Sequence, residues 1–143
     1  MIYDLIIIGG GVAGLGAAVY AARYELNVLI IAGNFGGLLQ QTHVVENYIG
    51  FKTISANDLT KKIIEHAKSY KKVTFKEDMV KDVRKLKNGI KIKTSKSEYE
   101  GKALLFTTGS FHRQLGIPGE RDYSGKGVSY CGTCDAPMFS GKT

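Results

Sequence analysis

Two cysteines three positions apart are the residues in this sequence best suited to covalent chemistry. Cys131 and Cys134 form a Cys-x-x-Cys pair, and the sequence contains no other cysteine. Such a pair can cycle between a disulfide and a dithiol, in which a thiolate is the attacking species. Because no further cysteine is present, a disulfide-stapled secreted fold is excluded. Asp135-Ala136-Pro137 predicts that a helix starts directly after the pair, which would stabilise a thiolate at Cys134.

A structural zinc half-site is the alternative interpretation of the cysteine pair. Zinc takes four ligands in such sites. The remaining candidates are His43, His66 and His112, which occur singly and without paired spacing. We therefore expect no metal, and we expect each histidine to be an ordinary surface or pocket residue.

A glycine-rich turn near the N-terminus is the second candidate site. Gly9, Gly11 and Gly14 have G-x-G-x-x-G spacing between an apolar run, Ile2 to Ile8, and an alanine-rich stretch, Val12 to Arg23. In a strand–turn–helix unit these glycines permit the sharp turn, the close approach of a pyrophosphate and the packing of helix on strand. The helix N-terminus adds unpaired N–H groups and a partial positive charge. A plain glycine turn in an α/β domain is the alternative.

The second predicted strand completes a βαβ unit. It covers Asn27 to Ile31. An acidic residue that binds ribose is expected near the end of this strand. The sequence there is Ala32, Gly33 and Asn34, so the acid is absent and Asn34 is the candidate replacement.

The rest of the chain predicts an α/β fold with a small antiparallel β-meander. Phe35 to Phe51 is a long connection with a second glycine pair, and connections of this length are usually functional. The hydrophobic spacing, capping residues and turn residues predict the following elements: a helix over Ser55 to Tyr70 capped by Ser55 and Asp58, a strand over Val73 to Phe75, a hairpin of Met79 to Leu86 with Gly89 to Thr94, a short strand at Tyr99, a buried strand over Ala103 to Thr107, and a loop over Ser110 to Gly127.

Composition limits the function classes. The chain has 143 residues and a net charge of +7, and its lysines cluster over the predicted second helix and beyond, at Lys61, Lys62, Lys68, Lys71, Lys72 and Lys76. Aromatic residues do not interleave with these lysines on one face in the way that single-strand binding needs, so we favour a solvated helix face over a surface for nucleic acid or an acidic protein partner. No apolar run approaches the ~18 residues that a membrane span needs. The apolar N-terminal run lacks a basic n-region, and we expect a cytoplasmic protein without a membrane anchor.

Five motifs together resemble the bacterial-type, low molecular weight thioredoxin reductases. The stretch from Tyr130 to Phe139 resembles the active site of that family. Gly9 to Gly14, Gly36-Gly37, Glu46-Asn47 and Thr107 to Gly109 stand in the order of the family's FAD contacts. The resemblance covers the whole chain. It implies a three-layer, Rossmann-like FAD/NAD(P)-binding domain with a parallel sheet, helices and a small antiparallel β-meander.

The resemblance also implies where FAD binds. The pyrophosphate would lie on the first glycine turn, and the loop with the second glycine pair would run along the flavin side of the cofactor. Asn47 would form a hydrogen bond near the flavin ring, and the backbone of Val80 would border the adenine. Leu38 stands where the family usually has Gln. The implied cofactor-binding residues are Gly9, Gly11, Val12, Ala13, Gly14, Asn34, Gly36, Gly37, Leu38, Leu39, Asn47, Val80, Thr107, Thr108 and Gly109.

The chemistry implied by the resemblance is NADPH-dependent reduction of a disulfide in thioredoxin or a thioredoxin-like protein. Cys134 would face the flavin, Cys131 would attack the partner's disulfide, and Asp135 would donate and accept the proton. Ala136 stands where the family more often has Gly. The complete enzyme is expected to be a homodimer.

In the family, a second nucleotide-binding domain for NADPH follows the cysteine pair. We therefore expect residues 1–124 to be the N-terminal portion of an FAD-binding domain and residues 125–143 to open an NADPH-binding domain. On this expectation the chain is a fragment or a truncated reading frame, inactive with NADPH when isolated. Two alternatives stay open: a non-catalytic FAD-binding module or half-enzyme, and a flavin reductase that feeds a peroxidase system.

Overall fold

The computed structural model describes residues 1–141, apart from the side chains of Thr133, Cys134 and Pro137. The chain divides into two compact units, Met1–Gly109 and Ser110–Thr143, which we call unit 1 and unit 2. The expected functional division at residues 124 and 125 stays a prediction. No helix in the described part of the chain is long and apolar enough to span a bilayer.

Unit 1 contains the described strands and two of the helices. The strands are β1 (Ile2–Gly10), β2 (Val28–Phe35), β3 (Val44–Val45), β4 (Ile54–Ser55), β5 (Val73–Glu77), β6 (Val80–Leu86), β7 (Gly89–Thr94) and β8 (Glu98–Phe106). The helices are α1 (Val12–Arg23) and α2 (Ala56–Lys68), with a 3-10 helix over Gly37–Gln41. In unit 2 a short helix, α3 (Gly132–Asp135), precedes a 3-10 helix over Ala136–Phe139.

One mixed sheet forms the centre of unit 1. Its strand order is β5-β2-β1-β8-β7-β6. The first four of these strands pair in parallel, whereas β7 and β6 extend the sheet as an antiparallel meander. The predicted α/β fold with a parallel sheet and a small meander is therefore confirmed. A smaller sheet pairs β3 with β4.

Both faces of β1 and β2 are buried, which explains the apolar sequence of these two strands. Ile7 and Ile30 pack with α1 in one core cluster. Ile6, Ile8 and Ile31 pack in a second cluster on the other face. Strands covered on both faces carry apolar residues at every position rather than at alternate ones.

Helix α1 has the predicted bounds, and small residues let it approach the sheet. Its buried residues are Gly14, Leu15, Ala18, Ala21 and Ala22. This spacing marks one face of a helix. Because alanine and glycine carry little or no side chain, the helix axis can lie close to β1 and β2.

Helix α2 begins at the predicted capping residues. The hydroxyl oxygen of Ser55 accepts a hydrogen bond from the Asp58 N–H at 3.0 Å, and the Ser55 hydroxyl lies 2.7 Å from a carboxylate oxygen of Asp58. Leu59 and Ala67 are buried on its inner face. Lys61 and Lys62 are exposed, as expected for a solvated face.

Strand β8 corrects two predictions. The predicted short strand at Tyr99 and the strand over Ala103 to Thr107 form one continuous strand, which pairs with β7 at Glu98 to Gly101 and with β1 at Glu100 to Phe106. Gly101 lies within this strand rather than in a turn. A Cβ at Gly101 would lie 2.8 Å from Ile6 Cγ1, so glycine leaves room there for the Ile6 side chain. The prediction that the second part is buried is wrong, because Phe106 is 61% exposed.

Other boundaries differ less. Strand β2 runs on to Phe35 rather than ending at Ile31, which places Asn34 within the strand. The predicted hairpin forms between β6 and β7, with Leu86 paired to Gly89 across the turn.

A charged contact in unit 1 is centred on Asp4 near the start of β1. The carboxylate of Asp4 accepts hydrogen bonds from the Asn27 N–H at 2.9 Å and from Lys102 Nζ at 2.7 Å. These two hydrogen bonds hold the pKa of Asp4 below its usual value, and the bond from Lys102 has the larger effect. The contact links β1 to β8 and to the residue that precedes β2.

The packing of α1 on β1 predicts opposite effects of alanine at two of its glycines. A Cβ at Gly14 would overlap the carbonyl oxygen of Gly9, whereas no atom lies within 4 Å of a Cβ at Gly16. We expect Gly14→Ala to lower the free energy of unfolding by about 1–3 kcal/mol through overpacking. Gly16→Ala should raise it by up to ~1 kcal/mol through helix propensity. Urea unfolding measures both, and equal effects of the two changes would contradict the packing described.

Candidate functional site

The turn between β1 and α1 is held by direct packing against the end of β8. Gly9 has a φ of +115°, and a Cβ there would overlap the carbonyl oxygen of Thr107. The Thr107 hydroxyl lies 3.1 Å from the carbonyl oxygen of Ile8 and 3.0 Å from that of Gly9. Gly9 and Gly14 are therefore required by the protein's own packing, as their spacing predicts.

Gly11 is different, because its surroundings are open. It has ordinary backbone geometry, with a φ of −78°. No atom of the structure lies within 4 Å of a Cβ built at this residue. Beyond its immediate chain neighbours, no described residue therefore excludes a side chain at Gly11, and the space above it is available to a ligand.

The first turn of α1 has the properties of an anion site beside this space. Gly11 is the N-cap, no side chain caps the helix, and no acidic residue lies in the first turn. Val12 and Ala13 are exposed. The first N–H groups of a helix have no partner within it, and the helix dipole favours negative charge there. Phosphate oxygens are the groups that such a turn binds.

The second glycine pair lies against this turn. The N–H of Gly36 donates to the carbonyl oxygen of Gly10 at 2.8 Å. Gly36 and Gly37 have φ values of +117° and +59°, and a Cβ at Gly37 would lie 3.3 Å from the Cα of Gly11. The structure thus brings together the two glycine motifs that were predicted to contact one ligand.

The neighbouring candidates differ in their surroundings. Leu39 packs against Val45 and Leu59, so it serves a small core cluster. Leu38 is exposed, and Asn47 is exposed after β3.

The remaining candidates of unit 1 lie at strand ends. Asn34 is near the end of β2, and Val80 begins β6 and packs against the second core cluster. Thr108 and Gly109 follow β8 and are exposed. The carboxyl ends of parallel strands meet at one edge of a sheet, which is where open α/β sheets bind ligands.

The sequence did not predict that Met79 and Phe35 pack near this edge of the sheet. A Cβ at Gly33 would lie 2.6 Å from Met79 Sδ, so the thioether covers the end of β2 where an acid was expected. A Cβ at Gly10 would lie 2.6 Å from Phe35 Cδ1. The contacts of Met79 with Gly33 and of Phe35 with Gly10 join segments that are distant in the sequence, so no local pattern predicts them.

Asp78 shapes the connection that carries Met79. Its carboxylate accepts hydrogen bonds from the N–H of Met79 at 2.8 Å and from that of Lys96 at 3.2 Å. The side-chain hydrogen bond with Thr94 is the main reason that the pKa of Asp78 lies below its usual value. The ionised side chain fixes the loop between β5 and β6 beside the end of β2.

The cysteine segment belongs to unit 2. Cys131 is disulfide-bonded, and the sequence contains one other cysteine, Cys134. The side chain of Cys134 lies outside the described residues, so its predicted thiolate and flavin contact stay predictions. The N–H of Cys131 donates to the hydroxyl oxygen of Ser129 at 3.1 Å, a contact that the sequence analysis did not identify.

The helix at the cysteine pair starts earlier than predicted. It begins at Gly132 and includes the backbone of Cys134, with Asp135 as its last residue. The N–H of Asp135 donates to the carbonyl oxygen of Cys131 at 3.0 Å. This bond closes a helical turn over the Cys-x-x-Cys sequence, so Asp135 is not the N-cap.

The loop that precedes this segment is organised by a buried carboxylate. Glu120 is 6% exposed, and it accepts hydrogen bonds from the N–H groups of Leu115 at 2.8 Å and Gly116 at 2.6 Å. Among the residues that the structure describes, no three His, Cys, Asp or Glu side chains come together as metal ligands.

Comparison with known proteins places this chain among disulfide oxidoreductases. Residues 3–142 match the family model described as pyridine nucleotide-disulphide oxidoreductase. The chain is 42% identical to a thioredoxin reductase of Bacillus subtilis, over 99% of this chain and 45% of the relative. It is 40% identical to a thioredoxin reductase of Mycoplasma genitalium, over 100% of this chain and 46% of the relative.

Solved structures give the same result. A thioredoxin reductase of Streptococcus pyogenes is 39% identical and superposes with a TM-score of 0.84, over 96% of this chain and 45% of that one. A thioredoxin reductase of T. acidophilum is 41% identical, with a TM-score of 0.79 over 96% of this chain and 45% of that one. The resemblance and the Rossmann-like fold predicted from the motifs are thereby confirmed. The chain spans less than half the length of these relatives.

The open space at Gly11 predicts a substitution that removes ligand binding and preserves the fold. A valine side chain at residue 11 would occupy the space that a pyrophosphate needs. We expect Gly11→Val to abolish FAD binding, measured by quenching of flavin fluorescence, while the urea unfolding midpoint changes little.

Gly16→Val is the matched control, because a Cβ at Gly16 also meets no atom within 4 Å. It should bind FAD like the unaltered chain. Undiminished FAD binding by Gly11→Val would show that the ligand does not approach this turn.

Proposed function

The chain belongs to the pyridine nucleotide-disulphide oxidoreductase family, and from this premise we propose that it carries the flavin site and the redox-active dithiol of a thioredoxin-disulfide reductase. The observation that carries the proposal is the disulfide-bonded Cys131 at the start of a helical turn that ends at Asp135. The names of the relatives, thioredoxin reductases, support the substrate class.

FAD is the cofactor that we propose for unit 1. Its pyrophosphate would lie over Gly11, on the unpaired N–H groups at the start of α1. The open space at Gly11 and the close approach of Gly37 fit this group, since both leave backbone accessible to phosphate. The residues that would contact the rest of the cofactor are Asn34, Gly36, Leu38, Leu39, Asn47, Val80, Thr107, Thr108 and Gly109. When bound, FAD would supply the transfer of an electron pair from NADPH to the disulfide.

The cysteine pair would perform thiol–disulfide exchange with the partner. In the dithiol form, the Cys131 thiolate attacks one sulfur of the partner's disulfide, and the other partner sulfur leaves as a thiolate. The Cys134 thiolate then attacks Cys131, which re-forms the Cys131–Cys134 disulfide and releases the second partner thiolate. The partner is reduced by two electrons and the pair is oxidised by two. In this proposal, Asp135 donates and accepts the protons that the thiols exchange.

The setting of the complete protein is also a proposal. We propose thioredoxin or a thioredoxin-like protein as partner, NADPH as electron donor, a homodimer as the complete enzyme and the cytoplasm as its location. The names of the relatives, thioredoxin reductases, support the partner, and the pyridine nucleotide in the family's description supports the class of electron donor. The chain alone covers 45% of the Bacillus subtilis relative, so we expect no turnover of NADPH by the isolated chain.

Trapping of a mixed disulfide tests the dithiol chemistry without any cofactor. The chain is reduced, freed of reductant and mixed with a thioredoxin disulfide. We expect Cys134→Ser to accumulate a covalent complex with the partner, because the resolving thiol is gone and Cys131 stays attached. Non-reducing electrophoresis and mass spectrometry measure the complex.

Cys131→Ser is the matched control, with one thiol left at the other position. It should form little complex, because Cys134 is proposed to face the flavin rather than the partner. A complex formed mainly by Cys131→Ser would reverse the assignment. Absence of any complex with either variant would contradict the proposed function and favour a flavin-binding module.

A further inference from the structure

A pair of stacked rings lies directly beside the cysteine segment. The rings of His112 and Tyr130 have centroids 5.6 Å apart and an interplanar angle of 21°. Tyr130 immediately precedes Cys131, whereas His112 lies in the stretch after β8 that has no regular secondary structure. Both residues belong to unit 2. The stack therefore ties a distant loop to the residue next to the redox-active sulfur.

The ring contact, rather than the hydroxyl, holds the Tyr130 side chain. Its hydroxyl oxygen is buried and has no hydrogen-bond partner among the described residues. A buried tyrosine hydroxyl usually finds such a partner. The ring's orientation therefore depends on packing, and His112 supplies a stacked surface for it.

The position of Tyr130 is transmitted to Cys131 through the backbone. Ser129 and Cys131 flank Tyr130, and the Cys131 N–H donates to the Ser129 hydroxyl oxygen at 3.1 Å. On the other side, the Cys131 carbonyl oxygen accepts from the Asp135 N–H at 3.0 Å. Movement of the Tyr130 backbone would disturb the first of these bonds and turn the Cys131 side chain.

We propose that His112 is a positioning residue for the cysteine pair, which it holds, through its stack on Tyr130, in the geometry that favours the disulfide. This inference rests on the proposed function of Cys131 and Cys134. Disulfide bonds require a narrow range of separations between the two residues. A backbone already fixed at Cys131 loses less entropy when the bond forms, so the stack shifts the equilibrium toward the disulfide.

The loop that carries His112 has its own support, which makes the effect of the ring separable. Glu120 binds the N–H groups of Leu115 and Gly116 whether or not His112 is present. Removal of the imidazole should therefore release Tyr130 without unfolding the loop. Phenylalanine at residue 112 keeps a ring that can stack and removes the ring nitrogens.

Equilibration with reduced and oxidised glutathione measures the proposed effect. In this reaction the protein dithiol and one glutathione disulfide give the protein disulfide and two glutathione thiols. After acid quenching and alkylation, mass spectrometry gives the fraction oxidised. We expect His112→Ala to lower the equilibrium constant about two- to tenfold, the range that a ring pair contributes. His112→Phe should restore the constant to within about twofold of the unaltered chain.

His66→Ala is the matched control, because the ring of His66 also lies beside a tyrosine ring. The ring centroids of His66 and Tyr70 are 5.9 Å apart, within unit 1. This change should leave the constant unaltered. An unaltered constant in His112→Ala, or no recovery in His112→Phe, would overturn the positioning role. If the unaltered chain forms no disulfide with glutathione, the proposed function fails together with the inference, and that outcome is distinct from the other two.

Discussion

Close packing at the turn between β1 and α1 leaves no room for a side chain at Gly9 or Gly14. A Cβ at either residue would overlap a backbone carbonyl oxygen, that of Thr107 or that of Gly9. The Thr107 hydroxyl lies against the carbonyl groups of the same turn. This packing fixes the start of α1 at the carboxyl end of β1, and it also fixes the direction of the unpaired N–H groups there. The proposed phosphate site therefore depends on contacts that the protein makes with itself.

Gly11 differs from Gly9 and Gly14 in its surroundings, so a substitution at Gly11 can test ligand binding without disturbing the packing of the turn. Its surroundings contain no atom that a Cβ would meet. Packing within the described part of the chain therefore does not require glycine at this residue, and we propose that a ligand does. The motif predicts different roles for the three glycines, and the structure shows the packing that requires glycine at Gly9 and Gly14.

Local patterns in the sequence predicted the parts of the fold that local interactions determine. The bounds of α1 and the Ser55 cap of α2 follow from composition and capping chemistry, and both are confirmed. Strand β8 was predicted as two separate strands, whereas it is continuous, and Gly101 within it accommodates the side chain of Ile6. The start of α3 was placed too late because Asp135 resembles a cap. The helical turn instead uses the carbonyl group of Cys131, which any residue type provides.

The candidate site was predictable to a similar extent. Spacing alone identified the glycine turn and the cysteine pair, and the structure brings the second glycine pair against the first. The cover of Gly33 by Met79, the Ser129 bond to Cys131 and the His112–Tyr130 stack were not predictable, because each one depends on tertiary packing or on side-chain orientation. These contacts decide how the predicted residues are held, while the residue types decide what chemistry they can do.

The proposed function depends most on the binding of the FAD pyrophosphate at the turn that contains Gly11. A comparison of FAD with riboflavin tests it most directly, because riboflavin has the same flavin ring and lacks the pyrophosphate and adenosine. Dissociation constants are measured for both by fluorescence quenching on the unaltered chain. We expect FAD to bind at least about tenfold more tightly than riboflavin, since helix N-termini bind phosphate groups. Equal affinity for the two, or binding of riboflavin alone, would contradict it.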